Sequence, residues 1–83
     1  MPVSATPIVE RIARVLAGQK LSINGHGSNA HANGAVDQEW PEHVDDALAV
    51  LRTLREPDAE MAKVGDVANW ERMVFAAIGQ QAR

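Results

Sequence analysis

The chain has no cysteine, which excludes disulfides and thiolate metal sites and makes a reducing, cytoplasmic setting the natural expectation. It also lacks a long hydrophobic run: nothing in it approaches the ~18 successive apolar residues that cross a bilayer. Near the start, the apolar residues have no basic leader before them and are interrupted by Glu10, Arg11 and Arg14, which is not the pattern of an export signal. No membrane partner is expected. A basic face is missing as well. Residues 1–36 hold Arg11, Arg14 and Lys20 against Glu10, a net +2, whereas residues 37–83 hold ten acids against five cations, a net −5. Nucleic-acid binding draws on clustered cations to displace counterions from phosphates, so no nucleic-acid partner is expected either. The stretch NGHGSNAHANG over residues 24–34 lacks the G-x-x-x-x-G-K-[ST] pattern and a following lysine-bearing helix, which excludes a phosphate cradle of that kind.

What is present is helical periodicity. A hydrophobic core cannot be divided in 83 residues, so one domain is expected, and a single core of this size supplies only a few kcal/mol. The strongest pattern is QEWPEHVDDALAVLRTLREP, residues 38–57. Val44, Ala47, Leu48, Leu51 and Leu54 fall at i, i+3, i+4, i+7 and i+10, one stripe of an α-helix. Pro41 suits a first turn and pushes Trp40 towards an extended backbone, which sets the start at residue 40 or 41. Glu42, Asp45 and Asp46 come early and Arg52 and Arg55 late, the polarity that complements the helix dipole. Pro57 ends the helix.

Two flanking segments supply cover for that stripe. Thr6 and Pro7 form a helix start, and Ile8, Ile12, Val15 and Leu16 give an amphipathic stripe ending near Gly18. Arg11 and Arg14 are read as a solvated face, with Glu10 and Arg14 as an i, i+4 pair. On the other side Asp58 caps a short helix through Met61 and Val64, with Gly65 stopping it in a left-handed conformation. Asp66 caps the next helix, whose stripe is Val67, Trp70, Met73, Val74, Ala77 and Ile78, with Phe75 as an additional apolar residue. The expectation is an all-α, compact three-to-four-helix domain with one long Gly/Asn-rich loop. Its parts are a flexible arm over 1–6, a domain over 7–80 with helices at about 7–18, 40–56, 58–64 and 66–79, a loop at about 19–38, and a tail over 81–83.

The residue combinations ARVLAG at 13–18, WPEHVDDALAVL at 40–51, LREPDAEM at 54–61 and GDVANWERMV at 65–74 together resemble a group of small bacterial proteins of unassigned activity, many of them encoded in phages and prophages. The resemblance covers about half the chain, from Trp40 to Ile78. It implies an all-helical fold and a mobile-element setting, and no chemistry. The Gly/Asn/His loop departs from the commoner members.

No catalytic motif stands out, and no cofactor is expected. His26 and His31 are five apart in the loop, and His43 lies among Glu39, Glu42, Asp45 and Asp46. Imidazoles with a carboxylate suit zinc, nickel or non-haem iron, and Glu39 with His43 has the i, i+4 spacing that aims two ligands at one point. The loop supplies little rigidity for the other ligands, so His26, His31, His43 and Glu39 rank as a weak metal-binding alternative. The helix pair around Gly65 has helix-turn-helix spacing with Asn69 and Arg72 towards solvent, but Asp66 and Glu71 share that helix and oppose a DNA-reading role. The ordinary reading of each feature is structural: solvent-exposed histidines, and acids placed for the helix dipole. The functional reading is a non-catalytic protein acting through protein–protein contact, first of all as a homodimer, with Phe75, Trp40 and Trp70 as apolar contacts. The alternative is a phage-type inhibitor or adaptor whose acidic face, with Asp45 and Asp46, covers a basic surface on a host or phage protein.

Overall fold

The computed structural model describes residues 3–24 and 32–80. Every regular element among them is helical: α1 (Ile8–Asn24), α2 (Ala32–Glu39), a 3-10 turn (Trp40–His43), α3 (Val44–Leu54), α4 (Ala59–Val64) and α5 (Val67–Gln80). α2, the 3-10 turn and α3 follow one another without a break. Taken as one kinked rod, they leave three long rods and one short helix, the all-α architecture expected. No described helix is long and apolar enough to cross a membrane.

The kink has an identifiable cause. Pro41 has no N–H to give and its ring crowds the carbonyl four residues back, so the chain tightens into a 3-10 turn, which the Val44 N–H closes on the Pro41 carbonyl. The regular part of the central helix accordingly starts at Val44 rather than at residue 40 or 41, and α2 precedes it within the stretch read as loop. That reading is corrected at its other end too, where α1 continues through Gly18 to Asn24. A glycine inside a helix costs about 1 kcal/mol relative to alanine, which packing outweighs here. Ala17 is fully buried, Gly18 lies against Val36 of α2, and Lys20 pairs with Glu39. The middle of the loop, with His26 and His31, lies outside the described residues, as does the tail over 81–83.

The innermost line of α1 is Val9, Ala13 and Ala17, at i, i+4 and i+8. The expected stripe is therefore rotated: Ile8 and Ile12 pack at the edge of the core, while Val15 is 62 % exposed. Small residues on the inner line let α3 come close, and Val9, Ala13, Ala47, Leu51 and Val74 form the core cluster. Val44 and Leu48 flank it as the α3 stripe predicts, with Leu54 exposed at the far end. Val9 is the largest fully buried side chain among the described residues. At the start of α1, the Pro7 carbonyl accepts the first helical bond, from the Arg11 N–H. The Thr6 N–H turns back to Ser4 Oγ at 3.1 Å, so Pro7 stands one position ahead of its expected place inside the helix.

Candidate functional site

α4 and α5 follow one another across Gly65 and Asp66, and the start of each is set by an aspartate. Asp58 Oδ1 accepts from the Met61 N–H and Asp66 Oδ1 from the Asn69 N–H, each at 3.0 Å, satisfying N–H groups that have no partner within the first turn. Gly65 between them is extended, with φ −148 and ψ −179, not left-handed as expected. The chain therefore leaves α4 as a straight step into the Asp66 cap. Trp70 fastens α5 to the rest of the fold. Its indole Nε1–H donates to the Leu54 carbonyl at 2.6 Å, one of the last carbonyls of α3 and otherwise without a helical partner.

This geometry leaves an apolar face uncovered. α4 has no buried residue, and α5 has one, Val74. Val64 is 89 % exposed and Met73 66 % exposed, although Val67 and Met73 had been assigned to the buried stripe of α5. Pro57, Met61, Val64, Val67, Trp70 and Met73 line an open groove of about 360 Å³ between the two helices. A second groove, of about 470 Å³, runs between the N-terminal arm and the other end of α5, past Val3, Ile8, Arg11, Met73, Ala76 and Ala77. Met73 lines both grooves. Phe75 lies away from them, 53 % exposed, under the Arg55 guanidinium at 5.0 Å.

The charged residues follow a different plan. Arg14, expected on a solvated face, is a hub: Nε donates to Glu10 at 2.8 Å, a terminal nitrogen donates to Asp37 at 2.6 Å, and the guanidinium lies 5.5 Å from the Trp40 ring centre. Asp37 and then Glu10 raise the Arg14 pKa further. Lys20 Nζ donates to Glu39 Oε1 at 2.5 Å. That hydrogen bond holds the Glu39 carboxyl below the ordinary glutamate value and, in return, the Lys20 ammonium above its own. The surplus of cations on α1 and of acids on α2 is thus largely spent inside the molecule. Trp40 packs against the core cluster, whereas Asp45 and Asp46 are exposed at the start of α3.

His43 is mostly enclosed. Its Nε2 lies 3.6 Å from Glu39 Oε1, beyond hydrogen-bond length, and its Nδ1 lies 4.0 Å from Asp46 Oδ2. Glu39 and His43 do come together, then, but the carboxylate is already held by Lys20. No group of three or more metal-ligating side chains occurs among the described residues. Asn69 Oδ1 and the Arg72 guanidinium, the pair weighed for base reading, bond to each other.

Met61 and Val64, assigned only to a short capped helix, and the exposure of Val67 and Met73 are what sequence reasoning missed. A signal was available in length: a six-residue helix completes fewer than two turns and cannot present both an inner and an outer face. Compared with protein-family models, with curated proteins and with solved structures, the chain matches none.

Proposed function

We propose that this is a small non-catalytic helical protein that acts through protein–protein contact, and that its principal partner is a second copy of itself. The observation that carries the reading is the concentration of exposed apolar side chains on α4 and α5, foremost Val64 at 89 % and Met73 at 66 %. A single turn or two of helix does not persist in water without a surface to bury, and α4 buries none of its residues within its own chain. A core whose largest fully buried side chain is a valine leaves limited stability in the monomer. Association adds to it by mass action. The reading goes with a cytoplasmic protein, consistent with the absence of cysteine.

Sedimentation at tens of micromolar is expected to return the mass of a dimer. Val64→Glu places a charge on the uncovered face, and is expected to return a monomer that loses no more helix than the six residues of α4 supply. A monomeric mass for the unaltered chain would remove the proposal.

A second reading draws on Asp45 and Asp46, which stand exposed at the N-terminus of α3, and on the phage-type resemblance: an inhibitor or adaptor covering a basic surface. It has less to draw on, because Asp37 and Glu39 of the same acidic stretch are paired with Arg14 and Lys20.

A further inference from the structure

Resting on the self-association reading, we propose a register for it. Two copies pair through α5, antiparallel about a twofold axis at Met73, and α4 of each copy enters the groove that the partner's N-terminal arm forms with α5.

One groove is lined by the N-terminal half of α5 and by α4. The other is lined by the C-terminal half and by the arm. Met73 is where they meet. An antiparallel twofold pairing centred there lays the first groove of each copy over the second groove of the other, so that both are covered at once by a closed, isologous contact. In that register each residue faces the one equally far on the other side of Met73. Trp70 then faces the partner's Ala76, and Val67 faces the partner's Gly79. Away from the axis, where Met73 meets its own copy, large side chains meet small ones, which is how two helices interdigitate without voids or clashes.

The charges agree with the same register. Asp66 borders the groove at one end of α5, and Arg11 borders the groove at the other. Antiparallel pairing brings Asp66 of one copy to Arg11 of the other, twice by symmetry. Only one Asp66 oxygen is occupied by its own helix, accepting from the Asn69 N–H. Parallel pairing would instead set the two indoles and the two Asp66 carboxylates against each other, juxtaposing like charges. Lys63, the cation on α4, is paired within its own chain with Glu60 at 3.0 Å, leaving Arg11, in the first turn of α1, as the partner for that carboxylate.

The cysteine-free sequence makes the test clean. Met73→Cys introduces a single thiol at an exposed position on the axis, and copper-catalysed oxidation is expected to convert the protein almost wholly to a disulfide-linked dimer. Phe75→Cys, on the opposite flank of α5, is expected to stay largely unlinked. Arg11→Glu is expected to raise the dimer dissociation constant at least about tenfold through the new like-charge contact, with circular dichroism confirming that the helices are retained. Cross-linking through residue 75 in place of residue 73, or an unchanged dissociation constant for Arg11→Glu, overturns the register and leaves self-association standing. A chain that remains monomeric by light scattering at the same concentrations removes both.

Discussion

α1 and α3 contribute five of the six buried residues among those described, α5 contributes one and α4 none. The two halves carry apolar stripes of comparable sequence quality, yet one half turns its stripe inward and the other shows part of it to solvent. The difference lies in what each stripe has to pack against. α1 is long and presents a line of small residues to the kinked rod of α2 and α3. α4 is six residues long with none of them buried, and the cap aspartates at the starts of α4 and α5 bond only within their own helices. The first half closes a core, and the second leaves apolar side chains exposed.

The strongest test of that division compares truncations in the two halves. Leu51→Ala removes a side chain that is 3 % exposed and is expected to lower folding stability by roughly 2–5 kcal/mol. Val64→Ser alters a comparably apolar side chain on α4, and is expected to move the stability of the monomer by less than about 0.5 kcal/mol. Urea unfolding at a concentration low enough to keep the chains apart reads both values. Comparable losses would mean that the two halves share one core after all.

A smaller effect separates the two caps of α4 and α5. Asp58→Ala and Asp66→Ala each remove a side-chain acceptor worth about 1 kcal/mol to its helix. α4 has no buried residue, so Asp58→Ala is expected to increase hydrogen exchange within α4 while the melting temperature barely moves. α5 carries Val74 into the core and Trp70 onto the Leu54 carbonyl, so Asp66→Ala is expected to lower the melting temperature by a few degrees. An equal drop for both would show α4 to be part of the cooperative unit.

How much of this could be read from the sequence follows from the same contrast. The stripe over Val44, Ala47, Leu48 and Leu51 and the caps at Asp58 and Asp66 are local features, and local chemistry sufficed for them. The continuation of α1 past Gly18 and the presence of α2 depend on residues that meet only after folding: Val36 beside Gly18, and Lys20 with Glu39. A glycine-rich composition carries no sign of such partners. The uncovered face was hidden for a related reason. The periodicity of Val67, Trp70, Met73 and Val74 reports that a helix has an apolar side, but not whether the chain contains enough surface to cover it. Phe75 was singled out as the surplus residue, whereas the two grooves converge on Met73.

Acid should act on the two halves differently, because the charged ties between elements belong to the first. The Glu39 carboxyl lies below its ordinary value in the folded chain through the Lys20 hydrogen bond. A group with a lowered folded pKa adds stability above its unfolded pKa and loses it as the pH falls through the folded one. The Lys20 ammonium, raised in turn, keeps its share below its unfolded pKa and gives it up only as the pH rises through the folded value. Between those limits the pair fastens α1 to the end of α2. Lys20→Met is therefore expected to differ in stability from the parent at neutral pH and to converge with it as Glu39 is protonated. His43→Gln in both proteins removes the ring 3.6 Å from the same carboxylate, so the convergence can be assigned to the pair. Lys20 is about half exposed and Glu39 about a quarter, so solvent still screens the pair, the difference is small and salt weakens it. Its location is the sharper reading. Hydrogen exchange in α2 should rise on acidification before exchange in α5 does, because ion pairs tie α2 to α1, whereas apolar contact and the Trp70 hydrogen bond tie α5 to its neighbours. Simultaneous loosening of α2 and α5 would mean that the halves respond as one body, and that the contrast drawn between them is one of surface exposure only.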